Sequence, residues 1–396
     1  MNNLPKLYLK QGREKSLLKK HLWIFSGAVY GVSQDLQDGD VVEVLSSSKE
    51  YLATGHFQNG SICVRIFSFN QADTIDEMFW EHLIVKALDR RKALSLTPDE
   101  HNNAFRIIHG ESDMMPGLIA DYYNGVIVLQ AHSVGMFNLL PTLSNIFVKI
   151  MGNKVKAVYS KSKNTIKQAE DETVRNQFLY GSADNLIISE NDMKFNIDFV
   201  NGQKTGFFLD QRDNRRLLSQ YCKGKSVLNI FGYTGAFSVA ALFGGASKVV
   251  TVDISADAIK MTDDNVALNF PCCSNHYTVV ADAFEYLTNT TEKFDIIVLD
   301  PPAFAKHLDA KDNAMKAYRR LNALGLKKLN ANGLLFTFSC SQVIRKTDFL
   351  TAVYNAASDT NKNIAIVHQL HQATDHCINI FHPETEYLKG FVLISD

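Results

Sequence analysis

The sequence is poor in the features that mark disordered and membrane-spanning chains. Its 396 residues include eight prolines and 22 glycines, too few for a disordered or fibrous protein. We find no apolar run of about 20 residues, so we expect no membrane span. The first twenty residues lack the apolar core of a signal peptide. With 46% hydrophobic and 21% charged residues, the composition is that of an ordinary globular protein.

The cysteines and histidines show no spacing that indicates a disulfide framework or a metal site. The six cysteines are irregularly spaced, so we expect free thiols and a cytoplasmic location: Cys63, Cys222, Cys272, Cys273, Cys340 and Cys377. Four histidines cluster late in the sequence without a common ligand spacing: His368, His371, His376 and His382. The sequence therefore predicts no metal site.

The overall charge is nearly balanced, at −1, and does not by itself indicate a nucleic-acid partner. The first 30 residues are locally basic, with Glu14 as their one acidic residue. A local basic patch can bind phosphates on a neutral protein, although a solvated face explains the same residues. The candidate contacts to nucleic acid are Lys10, Arg13, Lys15, Lys19 and Lys20.

The pattern of apolar residues divides the chain into three segments. Residues 1–72 contain short strands separated by turns, which is typical of a small β-barrel. Residues 73–185 are mixed α/β, and we expect a polar loop over 164–177. A helix is predicted over 74–94, with a shared apolar face formed by Phe79, Leu83, Val85, Ala87 and Leu88.

From residue 186 to 396, strands and helices alternate. The strands are almost continuously apolar, which predicts a mostly parallel sheet buried between helices on both faces. Seven strands are expected, at 226–232, 248–254, 277–282, 294–300, 333–339, 363–370 and in the final FVLIS stretch. The predicted helices lie at 235–244, 256–269, 312–331 and 346–357.

Polar residues follow the first strands of this sheet, where open α/β sheets bind ligands. The first strand runs into a loop that ends at Gly235, and its glycines allow a close approach of backbone to a ligand. Asp253 can accept hydrogen bonds from ribose hydroxyls and Asp282 from an adenine amino group. The loop is not a G-x-G-x-x-G motif, which disfavours a nicotinamide cofactor. The candidate cofactor-binding residues are Asn229, Phe231, Tyr233, Thr234, Gly235, Asp253, Asp282, Ala283 and Asp300.

Ordinary structural roles are alternative explanations for some of these residues. A turn glycine and a helix N-cap account for Gly235 and Asp253, and helix capping is a stronger alternative for Asp282.

The fourth strand ends in Asp300-Pro301-Pro302, and two chemistries compete at this point. The prolines fix the turn, so that the Asp300 carboxylate can orient a base through a ring nitrogen or an exocyclic amine. Methylation of an exocyclic nitrogen usually places an aromatic residue directly after the prolines. Here Ala303 follows, and Phe304 is one position late.

Methylation at carbon 5 of a pyrimidine requires a thiolate, which adds to C6 and makes C5 nucleophilic. Cys340 closes the fifth strand, at the same edge of the sheet as Asp300. The sequence therefore predicts Cys340 and Asp300 as catalytic residues, although a lone cysteine is often a small buried hydrophobic residue.

These motifs resemble the ribosomal RNA large subunit methyltransferase I family over nearly the whole chain. The matching stretches are GREKSLLKKHLWIFSGAV, GESDMMPGLIADYYNG, TGFFLDQRDNR, NIFGYTGAFSVAA, VDIS, LDPPAFAK, TFSCS and ETEYLKGF. The resemblance implies an α/β fold. In it, a Rossmann-like methyltransferase domain (186–396) follows a PUA RNA-binding barrel (1–72) and a central α/β domain (73–185).

The resemblance also implies the cofactor and the substrate. S-adenosylmethionine (SAM) would be held by Asp253 and Asp282, with Asp210 and Arg212 lining the pocket. The product would be 5-methylcytosine in 23S ribosomal RNA, formed with Cys340 as nucleophile. Methylation of an RNA base nitrogen and a non-catalytic role in ribosome assembly are alternative functions, and a homodimer is left open.

Overall fold

The computed structural model describes residues 4–166 and 174–396. The chain divides into two compact units. Unit 1 comprises Met1–Ile188, Ile197–Leu209 and Asp375–Thr385; unit 2 comprises Ser189–Asn196, Asp210–Thr374 and Glu386–Asp396. Of the loop expected at 164–177, residues 167–173 lie outside the described residues, and Gln177 begins a strand.

The first sheet of unit 1 has six strands in the order β2-β6-β5-β4-β1-β3. They are β1 (Lys6–Leu9), β2 (Trp23–Phe25), β3 (Val29–Val32), β4 (Val41–Leu45), β5 (Tyr51–Phe57) and β6 (Ile62–Ser68), with a one-turn helix, α1 (Lys15–Leu18), after β1. Alternate residues such as Val42 and Val44 point into the core because side chains alternate along a strand. These short strands agree with the pattern predicted for residues 1–72.

The second sheet of unit 1 has five strands in the order β11-β10-β9-β8-β7. They are β7 (Ala104–His109), β8 (Leu118–Tyr123), β9 (Val126–Ala131), β10 (Ala157–Ser160) and β11 (Gln177–Gly181), packed with α2 (Glu77–Ala93) and α3 (Val134–Met151). Helix α2 begins after Asp76, whose side chain accepts from the backbone N–H of Phe79.

The buried face of α2 differs from the predicted one. Trp80, Leu83, Ile84, Ala87 and Arg91 are buried, following the i, i+3, i+4 spacing of a helix. Of the predicted face, Leu83 and Ala87 are buried, whereas Phe79 and Leu88 are only partly buried against the core and Val85 is half-exposed. The predicted face therefore lacked Trp80 and Ile84, which are buried in the structure.

One helix in the described residues, Val134–Lys154 including its final 3-10 turn, is long and apolar enough to cross a membrane. That statement concerns length and composition only. In the structure Leu140, Leu143 and Phe147 of this helix pack into the core beside the five-stranded sheet.

Unit 2 is built on a seven-stranded sheet in the order β16-β15-β14-β17-β18-β20-β19, which confirms the predicted mostly parallel sheet. A hairpin of β12 (Leu186–Glu190) and β13 (Met193–Ile197) precedes it. The strands are β14 (Ser226–Ile230), β15 (Lys248–Asp253), β16 (His276–Val280), β17 (Phe294–Leu299), β18 (Leu329–Ser339), β19 (Ile364–His371) and β20 (Lys389–Ser395). Strand β20 is antiparallel to both of its neighbours.

Six helices accompany the sheet: α4 (Arg212–Ser219), α5 (Ala236–Phe243), α6 (Ala256–Asn269), α7 (Ala283–Asn289), α8 (Lys311–Lys327) and α9 (Lys346–Thr360). Strand β14 pairs with β15 on one side and β17 on the other, so the strand order reverses there. A crevice forms at such a reversal, beyond the carboxyl ends of the strands. The predicted site residues follow these strands.

Candidate active site

The loop after β14 is a tight turn shaped by positive φ angles. Phe231, Tyr233 and Gly235 have φ values of +61°, +46° and +76°. A Cβ on Gly235 would lie 2.5 Å from Cγ2 of Thr262, and one on Gly232 would lie 2.3 Å from Cγ2 of Thr251. Side chains at these glycines would push the loop away from the sheet and α6, so the glycines fix its path.

Asp253 anchors this loop from the end of β15. Its Oδ2 accepts from the Tyr233 backbone N–H at 2.9 Å, and its Oδ1 accepts from the Ser255 N–H at 2.9 Å. A carboxylate has about four lone-pair positions, so two acceptor positions remain for ribose hydroxyls. Asp253 therefore shapes the loop and keeps capacity to bind a ligand.

Two other predicted residues, Asn229 in β14 and Thr234 in the loop, are buried and make polar contacts. Nδ2 of Asn229 donates to Oγ of Ser238 at 2.9 Å, and the Thr234 carbonyl accepts from Nδ2 of Asn265 at 2.9 Å. Among the described residues, Oδ1 of Asn229 is a buried acceptor without a hydrogen-bond partner. It is one polar atom that a bound donor would satisfy.

Asp282 caps α7, as the structural alternative predicted. Its Oδ1 accepts from the backbone N–H groups of Phe284 and Glu285 at 2.9 and 3.0 Å. The residue is exposed, while Ala283 after it is buried. Because both capping bonds go to Oδ1, the cap and a ligand contact through Oδ2 are compatible.

A pair of carboxyl groups lies where β17 ends. Oδ2 of Asp300 accepts from Nε2 of Gln211 at 3.0 Å, and Oδ2 of Asp210 accepts from the hydroxyl of Tyr387 at 2.7 Å. Burial first, and then the nearby Asp210 carboxylate, raise the pKa of Asp300 to about 7, against the lowering effects of Gln211 and Arg215. Asp300 is thus partly protonated at neutral pH.

The two arginines near this pair are both buried, and each lies next to an acid. Arg212 lies 3.6 Å from Asp213 through Nε. Arg215 forms a bidentate salt bridge with Glu190, in which Nε and Nη2 each donate at 2.6 Å. Oδ1 of Asp210 is buried and has no hydrogen-bond partner among the described residues. The site therefore keeps unsatisfied acceptor capacity.

Cys340 lies at the end of β18, next to the end of β17. The two strands are parallel, with Leu299 opposite Thr337, so Asp300 and Cys340 follow neighbouring strand ends. The Cys340 thiol is half-buried, and its Sγ lies 3.9 Å from the Pro301 carbonyl oxygen. This geometry agrees with the predicted common edge.

The residues around Cys340 form a polar shell. The Tyr318 hydroxyl lies 2.9 Å from Oγ of Ser339 and 3.3 Å from Oγ of Ser341. Buried Lys389 donates from Nζ to the carbonyls of Ser341 and Tyr387, at 2.5 and 2.9 Å. Burial lowers the pKa of the Lys389 ammonium to about 8, and the Cys340 charge opposes that lowering.

Phe304, which a nitrogen methyltransferase would use to stack on its base, packs instead against the protein. Its ring centroid lies 4.7 Å from that of Tyr318 and 6.3 Å from that of Phe284. It contributes to the hydrophobic core of unit 2.

The predicted basic contacts in unit 1 are all exposed, on and around α1: Lys10, Arg13, Lys15, Lys19 and Lys20. Two of them also make contacts within the protein. Lys10 donates to the Gly27 carbonyl at 3.0 Å, and Nζ of Lys20 lies 4.3 Å over the ring of Phe69. Trp23 of β2 donates from Nε1 to Oε1 of Glu111 at 2.8 Å.

Sequence reasoning did not single out four residues of the site: Gln211, Tyr318, Tyr387 and Lys389. Gln211 and the last two lie inside the stretches TGFFLDQRDNR and ETEYLKGF, which were matched as wholes. Tyr318 lies in the middle of α8, where an aromatic residue at helical spacing is typical of a core position. Its position could not be foreseen without the fold.

Comparisons with known proteins identify the families to which this chain is similar. A family model of S-adenosylmethionine-dependent methyltransferases matches residues 105–371, and a model of PUA-like domains matches residues 7–69. The protein named ribosomal RNA large subunit methyltransferase I from Enterobacter sp. (strain 638) is 36% identical over 396 residues, covering 98% of both chains. The protein of the same name from Shewanella frigidimarina is 37% identical over 394 residues, with 98% of both chains covered.

Solved structures share the fold. A Streptococcus mutans protein assigned as a SAM-dependent methyltransferase superposes with a TM-score of 0.84 at 24% identity, over 98% of this chain and 99% of that one. A second structure, assigned as a methyltransferase and complexed with SAH, has a TM-score of 0.85 at 24% identity, with the same coverage.

The acceptor groups of the site fit SAM, which combines an adenosine with a methionine part that carries a sulfonium and an ammonium cation besides its carboxylate. Asp253 and Asp282 offer acceptors for the adenosine, and the unsatisfied carboxylate oxygen of Asp210 suits a cation. The chain belongs to the S-adenosylmethionine-dependent methyltransferases, within the ribosomal RNA large subunit methyltransferase I family, and its cofactor is S-adenosylmethionine.

Proposed function

We propose that this protein methylates carbon 5 of a cytosine in the RNA of the large ribosomal subunit, with Cys340 as the nucleophile. The names of the curated relatives support the RNA substrate. The observation that carries the chemistry is the common edge of β17 and β18, where Asp300 and the half-buried Cys340 follow neighbouring strands.

The proposed reaction needs a temporary bond between the protein and the base. The Cys340 thiolate adds to C6 of cytosine, and the electron pair of the C5–C6 bond makes C5 nucleophilic. When bound, SAM would supply an electrophilic methyl group, which bonds to C5 as its bond to sulfur breaks and S-adenosylhomocysteine is left. A base then removes the C5 proton, the C5–C6 double bond reforms, and the thiolate leaves. Ala303 stands directly after Pro302, so no second cysteine in that turn can assist release.

Asp300 is suited to hold the proton that this addition requires. Attack at C6 pushes negative charge onto N3 of the ring, and a protonated carboxyl group can donate to that nitrogen. A pKa of about 7 keeps a protonated fraction available at neutral pH. Gln211, which donates to Oδ2 of Asp300, fixes the orientation of the carboxyl group.

Lys389 is suited to support the thiolate. Its ammonium group is anchored by the carbonyls of Ser341 and Tyr387, and its charge interacts with that of Cys340. A positive charge close to a cysteine favours the ionised, nucleophilic form. We assign Lys389 as a positioning residue.

The test is a covalent trap with RNA that carries 5-fluorocytosine at the target position. Wild type should form an adduct that survives denaturation, because no C5 proton can be removed after methyl transfer. Cys340→Ala should form no adduct and should lose methyl transfer by several orders of magnitude while still binding SAM. Cys272→Ala, which removes an exposed thiol, is the matched control and should behave as wild type.

Two outcomes would replace this proposal. Near-normal methylation by Cys340→Ala would favour transfer to a base nitrogen, with Asp300 as the central residue. SAM binding without turnover on any ribosomal RNA would favour a non-catalytic role in ribosome assembly.

The remaining predictions concern partners and organisation. We propose that residues 1–72 form an RNA-binding PUA domain, 73–185 a central domain and 186–396 the methyltransferase domain. We also propose Lys10, Arg13, Lys15, Lys19 and Lys20 as RNA contacts. The 23S molecule as target, a cytoplasmic location and a homodimer stay predictions.

A further inference from the structure

Two histidines and a glutamate of unit 1 converge on one point. His21 lies between α1 and β2, and His382 and Glu384 belong to the segment Asp375–Thr385. Nε2 of His21 is 3.4 Å from both carboxylate oxygens of Glu384, and Nε2 of His382 is 3.7 Å from Oε2 of Glu384. All three ligand atoms lie within 4.8 Å of one another.

His382 is the unusual member of this cluster. Its side chain is fully buried, and within the described part of the chain neither ring nitrogen has a hydrogen-bond partner. A buried polar atom left unpaired costs about 1–3 kcal/mol, so native proteins nearly always satisfy it with a partner, a water or an ion. A metal ion held by a lone pair of the imidazole would satisfy one of these nitrogens.

The separations suit a small tetrahedral ion. Zinc bonds of about 2.0–2.1 Å to nitrogen and oxygen place neighbouring ligand atoms roughly 3.3 Å apart at a tetrahedral angle. The two nitrogen–oxygen separations, 3.4 Å from His21 and 3.7 Å from His382 to Glu384, are close to this value. All three ligand atoms lie within 4.8 Å of one another, so small side-chain rotations bring the set to tetrahedral spacing. Two imidazoles with one carboxylate also favour zinc over calcium or magnesium, which prefer oxygen ligands.

The surrounding bonds hold the ligands in place. Nδ1 of His21 lies 3.2 Å from both the carbonyl oxygen and the backbone nitrogen of Trp23. The tautomer that donates from Nδ1 to the carbonyl is the one that leaves the lone pair of Nε2 for a metal. The His382 backbone N–H donates to the Asn379 carbonyl at 2.9 Å, and the Thr385 hydroxyl donates to the His382 carbonyl at 2.8 Å. These contacts pre-organise the turn that carries His382 and Glu384.

We propose that His21, His382 and Glu384 bind one zinc ion, with water as the fourth ligand. The Glu384 side chain is 42% exposed, so the proposed site is open to solvent on the side of Glu384, while His382 is buried. The ion would cross-link the segment Asp375–Thr385 to the N-terminal part of unit 1. Because 363 residues separate His21 from Glu384, no local spacing in the sequence could indicate this site.

Calorimetric titration of the full chain with zinc alone, after treatment with a chelator, tests the proposal. Wild type should bind one zinc ion, and both His21→Ala and His382→Leu should weaken that binding more than about 100-fold. His82→Ala removes an exposed histidine outside the cluster and should leave binding unchanged. Unchanged binding in the two cluster variants, or none in wild type, would overturn the proposal.

Thermal unfolding separates a ligand role from a structural one. Zinc should raise the melting temperature of wild type, because an ion that binds only the folded state stabilises it. Metal-free His382→Leu should melt no lower than metal-free wild type, since it removes two unpaired buried nitrogens, but zinc should not shift it. If His382→Leu does not fold, His21→Ala provides the same comparison.

Cobalt substitution identifies the ligand type. Bound Co²⁺ should give the visible absorption of a tetrahedral site without thiolate charge-transfer bands. Thiolate bands that persist in His21→Ala would assign the ion to cysteines, such as Cys272 and Cys273, which are adjacent in sequence. That result would overturn the proposed ligand set.

Discussion

At the residue scale, the Asp300 carboxyl group is held near the midpoint of its titration at neutral pH. Burial and the Asp210 carboxylate both penalise its charged form, and the pKa of Asp300 rises to about 7. A proton held at the cleft edge is useful for donating to a ring nitrogen. The same shift ties the stability of the folded protein to pH.

Asp300→Asn should stabilise the protein at neutral and alkaline pH. Because the folded-state pKa of Asp300 is raised above its unfolded value of 3.8, folding binds a proton, and wild type loses stability as pH rises from about 4 to about 7. The asparagine variant lacks this loss. The difference in unfolding free energy between Asp300→Asn and wild type should grow as pH rises through that window and level off above it. It should reach at most about 4 kcal/mol. Melting temperatures at several pH values measure it.

Asp295 serves as the control, because its pKa is shifted in the opposite direction. Hydrogen bonds from Ser226 and Asn330 outweigh burial and lower the pKa of Asp295, so its charge stabilises the folded state above the unfolded pKa. Asp295→Asn should therefore be less stable than wild type at pH 7, with a difference that shrinks in acid. A gap for Asp300→Asn that does not change with pH would contradict the prediction.

Asp253 offers a second test at the same scale. Asp253→Asn keeps one oxygen for the Tyr233 N–H but loses charge and acceptor positions for a ribose. We expect affinity for SAH, the demethylated cofactor, to fall about 30- to 100-fold, equivalent to roughly 2–3 kcal/mol. Calorimetry measures it, with the exposed Asp257→Asn in α6 as control. Equal affinities for both variants would remove Asp253 from the cofactor site.

At the element scale, the loop between β14 and α5 depends on Gly235 for two reasons, which are its backbone conformation and the lack of space for a side chain. Gly224, which precedes β14, has only the first of these features. Gly235 combines a positive φ with contact between its would-be Cβ and Thr262. Gly224 has a similar φ of +71° but open space where a Cβ would be. The two positions therefore distinguish backbone strain from steric displacement of the loop.

Gly235→Ala should weaken SAH binding by at least tenfold, because the methyl group forces the loop away from α6. Gly224→Ala should lose only the roughly 1–2 kcal/mol of stability that a left-handed alanine costs and keep its affinity for SAH. Calorimetric titration of both variants tests this. Equal affinities would mean that the loop accommodates the extra carbon.

The basic residues around α1 form a further element with a measurable signature. Replacing Lys10, Arg13 and Lys15 by alanine should flatten the dependence of ribosomal RNA affinity on salt, since each lost phosphate contact lowers the slope by about 0.7–0.9. Filter binding over a range of salt concentrations measures the slope, with the exposed Lys327→Ala of α8 as control. An unchanged slope would make the patch a solvated face.

Elements with long apolar patterns were predictable, and short ones were not. Strands β14, β15 and β17 begin at their predicted first residues, because a buried parallel strand is apolar along its whole length. The three-residue β2 and the seven-residue α7 are too short to show a period. The loop between β14 and α5 could be placed from the sequence, whereas Tyr387 and Lys389 reach the site only because β20 enters the sheet beside β18.

At the whole-molecule scale, the two compact units are not continuous in sequence. Unit 1 takes the segment Asp375–Thr385, and unit 2 takes the residues on both sides of it. The segment lies inside the region expected to be methyltransferase, and local patterns give no sign of its contacts with residues such as Arg91 and Glu111. The assignment of this segment to unit 1 depends on contacts between residues far apart in the sequence.

The position of β20 has a consequence for synthesis of the protein on the ribosome. Ribosomes deliver a chain from its N-terminal end, and β20 is made after the other six strands of its sheet, yet it pairs with β18 on one side and β19 on the other. Until it emerges, the nascent sheet has a gap with two open edges, a form prone to aggregation and proteolysis. Tyr387 and Lys389 arrive with it, so a nascent chain lacks part of its polar shell around Cys340 and should not modify RNA before β20 is in place.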